Sequence, residues 1–163
     1  MRLKNLEIEL INRLNPGDLI ETTNWLTSTK ELSLISDIKN NMITPEELNN
    51  WFINSKKGVV TKHNDKIIGI ATLTNKEANL PDKTMEICHL IVKPDYRRYY
   101  NGSQMVLKLM SFAKEKEYNK VIGRVVKQNY IGKSLLEFLH WHHTENGMYD
   151  SNIDFHWFEK KLT

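Results

Sequence analysis

The residues best suited to chemistry form one run near the middle of the chain. It spans residues 86–102 and includes two adjacent arginines, Arg97 and Arg98. The apolar residues before the arginines predict a buried strand over 85–92, and those after them predict a helix over 101–118. A turn that leads into a helix offers unpaired backbone N–H groups and the positive end of the helix dipole, and arginine adds bidentate contacts with phosphate. The run is therefore either a phosphate-binding turn or a simple connection with solvated arginines.

The run resembles the cofactor-binding motif of the GNAT superfamily of N-acetyltransferases. That motif reads Gln/Arg-x-x-Gly-x-Gly/Ala and follows a strand that ends in Val-x-Pro. Here Val92 and Pro94 form the strand end, Arg97 occupies the first motif position and Gly102 the last. Tyr100 replaces the middle glycine. Because glycine lets the backbone approach a pyrophosphate closely, the tyrosine implies either an altered turn or a direct contact with the cofactor.

The resemblance continues after the motif. In the family, an asparagine follows the next strand and opens the next helix, where it touches the pantetheine arm of the cofactor. Asn129 has this position here, between a predicted strand over 121–126 and a predicted helix over 131–139. His140 and Trp141 stand where the family often has Gly-Phe. The resemblance covers the whole chain in outline and this central part in detail.

The resemblance implies an α/β fold with a mixed, mostly antiparallel central sheet, flanking helices and a V-shaped cofactor cleft. It also implies that acetyl-CoA or another acyl-CoA is the co-substrate and that an amine is the acceptor. The backbone of Leu90, Ile91 and Val92 would pair with the pantetheine arm, and the amide of Val92 would polarise the thioester carbonyl. The residues that would hold the pyrophosphate are Arg97, Arg98, Tyr99, Tyr100, Asn101, Gly102 and Ser103.

Glu86 is the candidate general base. The histone-acetylating branch of the family has its basic glutamate on this strand, at the spacing that separates Glu86 from Arg97. Strand alternation predicts Glu86, Cys88 and Leu90 on one face and His89 on the opposite face. Apolar neighbours would raise the pKa of the Glu86 carboxyl, which suits a base near neutrality. The alternatives are a solvated charge at Glu86, a packed histidine at His89 and a small buried hydrophobe at Cys88.

A general acid is harder to find in the sequence. Many family members have a tyrosine about two turns into the helix after the asparagine, whereas this chain has residues 134–137 without one. Transfer with water as the proton donor is one alternative, and loss of activity is another. The histidines at 140–143 and His156 suggest a metal site, but no carboxylate or cysteine has a recognised spacing, so no metal is expected.

The other segments fit one α/β domain over residues 1–163. Thr44 and Pro45 are a typical helix start, and residues 58–62 and 66–73 predict a hairpin. The tail predicts two strands joined by a turn at Asn146-Gly147. Trp25 and Trp51 lie in the two early helices and would either line an acceptor pocket or pack in the core. The order of strands and helices predicts a sheet with antiparallel and parallel parts.

Composition limits the function classes. The chain has 163 residues, a formal net charge of +3 and one cysteine, and the basic residues are spread along it. Nucleic acid is therefore an unlikely partner, and neither a membrane span nor a signal peptide is expected. The cytoplasm is the expected location. The sequence is compatible with an acceptor amine on a small molecule, a peptide or a protein, and with a homodimer. The competing hypothesis is a module that binds acyl-CoA or a partner without turnover.

Overall fold

The computed structural model describes residues 5–29, 32, 42–75, 82–97, 101–144 and 155–163. Seven strands form one sheet in the order β1-β2-β3-β4-β5-β7-β6. The strands are β1 Leu6–Ile11, β2 Lys57–His63, β3 Lys66–Thr74, β4 Thr84–Val92, β5 Lys120–Val126, β6 His142–His143 and β7 Phe155–Lys161. The helices are α1 Pro16–Thr27, α2 Pro45–Ile53, α3 Asn101–Glu115 and α4 Tyr130–Phe138, and a short 3-10 helix covers Pro94–Tyr96. Among the described strands, only β4 and β5 pair in parallel, which confirms the predicted mixed, mostly antiparallel sheet.

The two early helices begin with the same arrangement of cap and proline. The Asn15 side chain accepts a hydrogen bond from the Asp18 amide at 2.8 Å, and Pro16 is the first residue of α1. Thr44 Oγ1 accepts from the Glu47 amide at 3.1 Å at the start of α2, as its sequence predicts. Each cap satisfies one of the backbone donors that a helix leaves unpaired at its first turn.

The sheet separates two apolar cores. One core lies against α3 and α4 and includes Met105, Leu109 and Leu136. The other lies against α1 and α2 and includes Trp25 and Phe52, which are therefore core residues. On α3 the buried stripe includes Val106, whereas Leu107 is 47% exposed.

Strands β4 and β5 are joined along only part of their length. Their register pairs Thr84 with Lys120, Met85 with Val121 and Glu86 with Ile122. After these pairs the two described strands diverge, while β4 stays paired with β3 as far as Val92. The divergence opens the V-shaped gap that the resemblance implies, between two adjacent strands of the same sheet.

A β-bulge at His89 reverses the alternation of β4. Ile70 pairs with Ile91 and Thr72 pairs with Cys88, so two residues of β4 lie opposite one residue of β3. His89 has a φ of 55°, an uncommon value for a residue with a side chain. As a result Leu90 packs against the α3 and α4 core, on the opposite face from Glu86. The prediction that Leu90 shares a face with Glu86 is therefore wrong.

The tail confirms two antiparallel strands, β6 and β7, of which β6 has only two residues. The predicted turn at Asn146-Gly147 lies outside the described residues. His140 ends α4 with a φ of 62°, and the Trp141 amide bonds back to Leu136 O at 3.0 Å. This is the left-handed helix end that glycine favours, and it lies where the resembled family often has glycine. None of the described helices is long and apolar enough to cross a membrane.

Candidate active site

The end of β4, beyond its last pair with β5, lines a cleft of about 900 Å³. Its walls come from the end of β4, the turn after it, the start of α3 and one face of α4. The residues that line it are Leu90, Ile91, Val92, Pro94, Tyr96, Arg97, Asn101, Gly102, Ser103, Asn129, Ile131, Gly132, Ser134, Leu135 and Phe138. Eight residues predicted from the sequence to bind the cofactor are therefore together in one cleft. The other three, Arg98, Tyr99 and Tyr100, lie outside the described residues.

The N-terminus of α3 opens onto this cleft. Asn101 is 2% exposed, and its Nδ2 donates to Tyr96 O at 2.8 Å, which fixes the helix start to the 3-10 turn. Arg97 Nε donates to Val92 O at 3.0 Å, so the arginine also closes the turn onto the strand end. A side chain at Gly102 would lie 3.3 Å from Leu135, so the glycine keeps the space between the two helices open. The N-terminus of a helix and this open space fit an anionic group.

The opposite wall of the cleft begins at Asn129. Its Oδ1 accepts from the Gly132 amide at 2.9 Å and caps α4, as expected for an asparagine that opens this helix. A Cβ added at Gly132 would lie only 2.8 Å from Asn129 Nδ2. The glycine therefore allows the cap and leaves a backbone surface beside the cleft.

Helix α4 has a second apolar face that the sequence analysis missed. Leu136 points into the core, but Ile131, Leu135 and Phe138 line the cleft, and Phe138 is 63% exposed. Their spacing of four and three residues is the signal that was available in the sequence, because such residues share one helix face. An apolar wall of this kind suits the alkyl part of a bound ligand.

Glu86 lies where β4 and β5 begin to diverge, and its carboxylate forms an ion pair. Its Oε2 accepts from Arg124 Nε at 2.8 Å, and the side chains are 2% and 13% exposed, respectively. The guanidinium of Arg124 lies 5.4 Å from the Trp157 ring and 5.6 Å from the Phe155 ring. Burial disfavours a charged carboxyl, whereas the guanidinium favours it. Arg124 was not predicted as the partner of Glu86, although a charged residue within an apolar strand signals a buried partner.

The bulge turns His89 towards α2, on the same side of the sheet as Glu86. Its ring stacks on Trp51 at 4.1 Å with an interplanar angle of 10°, and its Nδ1 lies 2.7 Å from Thr72 Oγ1. Thr72 pairs with Cys88 on the face opposite the α3 core, and its hydroxyl donates to Cys88 O at 3.3 Å. The prediction that His89 lies on the opposite face from Glu86 is wrong, because the bulge was not visible in the apolar pattern of the strand.

The other candidate groups do not converge on the cleft. Leu136 lies in the stretch 134–137, where many family members have a tyrosine; it is 6% exposed and belongs to the core. Of the histidines in the tail, His143 lies beside His156, and their ring centroids are 5.1 Å apart. Within the described residues there is no group of three or more His, Cys, Asp or Glu side chains that could hold a metal ion.

The same fold occurs in solved acetyltransferase structures. An N-acetyltransferase from Staphylococcus aureus Mu50 superimposes with a TM-score of 0.77 at 19% identity, over 98% of this chain and 100% of that one. The yncA protein of Salmonella typhimurium, solved with its cofactor acetyl-CoA, gives 0.74 at 14% identity over 98% and 95%. The PaiA N-acetyltransferase of Thermoplasma acidophilum, in complex with coenzyme A, gives 0.72 at 18% identity over 95% and 99%. At these identities the likeness shows the fold alone.

Sequence comparison assigns the family. No curated protein matches the chain. The family model described as the acetyltransferase (GNAT) family matches residues 21–140, which include α2, the β4 bulge, the cleft and α4. This match covers well over half of the chain, and it agrees with the split between β4 and β5 and with the helix start that faces it. The chain therefore belongs to the GNAT acetyltransferase family.

Proposed function

We propose that this protein transfers an acetyl or other small acyl group from acyl-CoA to an amine. The observation that carries the proposal is the cleft, which runs from the end of β4, beyond its last pair with β5, to the N-terminus of α3. It combines the end of a strand that has diverged from its neighbour, a helix start and an apolar wall. These suit an amide-bearing arm, a pyrophosphate and alkyl groups, respectively. Two proteins with the same fold were solved with acetyl-CoA or coenzyme A.

Each part of the acyl-CoA is assigned to a different part of the cleft. The backbone of Leu90, Ile91 and Val92 would pair with the pantetheine arm, beside Asn129 on the opposite wall. The residues proposed to hold the pyrophosphate are Arg97, Arg98, Tyr99, Tyr100, Asn101, Gly102 and Ser103. The backbone amide of Val92 would polarise the thioester carbonyl and favour attack on it.

Glu86 is the proposed general base. An amine reaches the enzyme largely as an ammonium ion and must lose a proton before it can attack a thioester. The carboxylate of Glu86 lies at the last β4–β5 pair, before the part of β4 that lines the cleft, and it forms a 2.8 Å ion pair with Arg124. We propose that this carboxylate accepts the first proton.

Binding and turnover test the proposal separately. Titration calorimetry with acetyl-CoA should show saturable binding, and a thermal scan at saturating acetyl-CoA should show a higher melting temperature. Free thiol should then appear when acetyl-CoA is incubated with a panel of small amines, peptides and lysine-containing proteins. An absence of both binding and thermal shift would contradict the proposed function at its first step.

One observation favours a second candidate, a module that binds acyl-CoA or a partner without turnover. The stretch in which many family members carry a tyrosine holds the buried Leu136, so a family acid is absent from this part of α4. This candidate predicts acetyl-CoA binding with no thiol release for any amine. A single well-turned-over acceptor would reject it.

We propose that residues 1–163 act as one domain and that the reaction takes place in the cytoplasm, which suits a chain with a single cysteine. No metal is assigned a role. The proposed acceptor is an amine on a small molecule, a peptide or a protein.

A further inference from the structure

We infer that two side chains, Tyr96 and His63, together hold the pyrophosphate end of the cleft in the shape that binds acyl-CoA. Tyr96 ends the 3-10 helix and lines the cleft. Its hydroxyl lies 3.1 Å from Nδ1 of His63, the last residue of β2. His63 acts through Tyr96 and is a positioning residue. The inference rests on the proposed function, because it concerns the same cofactor.

The turn between β4 and α3 has little internal support. Its 3-10 helix, Pro94–Tyr96, has only three residues and no side-chain cap. Its own bonds run from the Tyr96 amide to Lys93 O at 2.9 Å and from the Arg97 amide to Pro94 O at 3.3 Å. Bonds of the 3-10 type have poorer geometry than those of an α-helix, which keeps such helices short. The shape of the turn therefore depends on contacts with other parts of the fold.

The β2–β3 hairpin supplies two of these contacts. The Lys93 amide donates to Ile68 O of β3 at 2.7 Å, which attaches the beginning of the turn. The Tyr96 hydroxyl bonds to His63 and attaches the end of the 3-10 helix. The two rings also meet edge to face, with their centroids 5.2 Å apart. The hairpin therefore holds the 3-10 helix on both sides.

The tip of the hairpin gives His63 a defined position. Strands β2 and β3 are joined by two residues, Asn64 and Asp65, which have φ values of 51° and 66°. Two positive φ values in succession are typical of the type I′ turn, whose twist matches that of the paired strands. The Trp25 indole N–H of α1 also donates to Ile67 O of the hairpin at 3.1 Å. The hairpin is thus attached to α1 as well as to the turn.

The bond between the two side chains does not depend on the protonation of the imidazole. A tyrosine hydroxyl can both donate and accept a hydrogen bond. It accepts from Nδ1–H when that nitrogen carries a hydrogen, and it donates to Nδ1 in the other tautomer. The contact of Tyr96 with His63 can therefore form in every protonation state of the ring.

Tyr96 connects the hairpin to the cleft. Its carbonyl oxygen accepts the 2.8 Å bond from Nδ2 of Asn101, the buried first residue of α3. Both residues line the cleft. A displacement of Tyr96 would therefore also displace the start of α3, which is proposed to hold the pyrophosphate. Because hydrogen bonds weaken steeply when distance and angle change, this would lower the affinity for the cofactor.

The variant Tyr96→Phe removes the hydroxyl and keeps the ring. We expect the dissociation constant for acetyl-CoA, measured by titration calorimetry, to rise about fivefold, the equivalent of one hydrogen bond. Tyr118→Phe is the matched control, because Tyr118 is also half-buried but does not line the cleft. The control should leave the dissociation constant unchanged.

Two variants of the histidine test the partner. Neither leucine nor asparagine has an aromatic ring, but only asparagine carries polar atoms near the position of Nδ1 that can bond to the tyrosine hydroxyl. His63→Leu should weaken acetyl-CoA binding about as much as Tyr96→Phe does, whereas His63→Asn should bind nearly as well as the wild type. Combining His63→Leu with Tyr96→Phe should add little to either single loss, because both changes remove the same bond.

Phosphorus NMR locates the effect within the cofactor. Acetyl-CoA carries a pyrophosphate and a separate phosphate on its ribose, and their resonances are distinct. At saturating acetyl-CoA, the pyrophosphate resonances of the bound cofactor should differ between the wild type and Tyr96→Phe, with the ribose phosphate as the internal reference. A general loss of stability would not produce this difference, because the protein is folded in both saturated samples.

Three results would each overturn the inference and leave the proposed function intact. They are wild-type affinity in Tyr96→Phe, equal losses in His63→Leu and His63→Asn, and unchanged pyrophosphate resonances. Absence of acetyl-CoA binding by the wild type would instead contradict the proposed function and this inference with it. A loss of about fivefold in Tyr96→Phe, rescue by asparagine at His63 and altered pyrophosphate resonances would support the two assigned roles.

Discussion

The two sides of the β4–β5 split are built in different ways. The side that we propose for the cofactor, called the cofactor side, uses local features: a strand end, a turn, the start of α3 and the capped start of α4. The other side, covered by α1 and α2, is the one that we propose for the acceptor and is called the acceptor side. It uses single side chains from distant parts of the chain, such as Trp51, Thr72, Glu86 and Arg124. The cofactor side therefore depends on backbone geometry and apolar surface, whereas the acceptor side depends on contacts between distant side chains.

The largest effect should come from breaking the polar pair on the acceptor side. Replacing Glu86 with alanine would leave the guanidinium of Arg124 largely buried without its carboxylate. Such a change costs about 3–5 kcal/mol of unfolding free energy. Urea denaturation of Glu86→Ala measures it, with Glu137→Ala as the control, because Glu137 pairs with Lys133 in an exposed i,i+4 ion pair. The control should lose less than about 0.5 kcal/mol.

The double variant Glu86→Ala/Arg124→Ala sharpens this prediction. Removing both partners also removes the buried guanidinium that Glu86→Ala leaves without its carboxylate. The double variant should therefore be more stable than the sum of the two single losses predicts. Strict additivity of the two losses would show that the ion pair does not couple them, and the acceptor side would then be less dependent on paired side chains than we propose.

On the cofactor side, the cap of α4 should affect both stability and binding. Asn129→Ala removes the bond to the Gly132 amide and should cost about 1 kcal/mol of stability. It also removes a side chain that lines the cleft, so acetyl-CoA affinity should fall by roughly fivefold, the equivalent of one hydrogen bond. Asn15→Ala is the matched control, because Asn15 caps α1 in the same way away from the cleft.

The two cap variants should therefore lose similar stability in urea denaturation but differ in calorimetry with acetyl-CoA. Equal affinity losses in both would mean that destabilisation, rather than a contact with the cofactor, weakens binding. That result would remove Asn129 from the proposed cofactor site.

A smaller effect is expected from the apolar wall. Phe138 is 63% exposed and lines the cleft, whereas Leu107 is 47% exposed on α3 and lies outside it. Phe138→Ala should weaken acetyl-CoA binding by about 0.5–1 kcal/mol, through lost apolar contact area, with little change in stability. Leu107→Ala should leave binding unchanged in the same calorimetric titration. Equal binding by both variants would show that the cofactor does not cover this face of α4.

The same division explains what the sequence could predict. Helix starts such as Thr44-Pro45, the strand β4 and the helix after Asn129 depend on neighbouring residues, so their patterns are visible in the sequence. The face of His89 was predicted wrongly because a bulge depends on the register between β3 and β4. A charged residue in an apolar strand indicates that Glu86 has a partner, but the identity of that partner, Arg124, 38 residues away, depends on the tertiary fold.

The smallest effect concerns a histidine on the α3 and α4 side that we assign no catalytic role. The pKa of His156 is lowered from its ordinary value, first by burial and then by the charges of His143, Lys133 and Lys127. The folded state therefore binds fewer protons than the unfolded state near pH 6.5, so stability should fall as pH falls through that value.

His156→Gln should lose less stability than the wild type between pH 7.5 and pH 5.5 in urea denaturation. Its kcat profile should keep the wild-type shape, because the ring of His156 packs beside His143 on the tail strands and not at the split. A changed kcat profile in His156→Gln would show that titration on this side of the sheet also reaches the reaction.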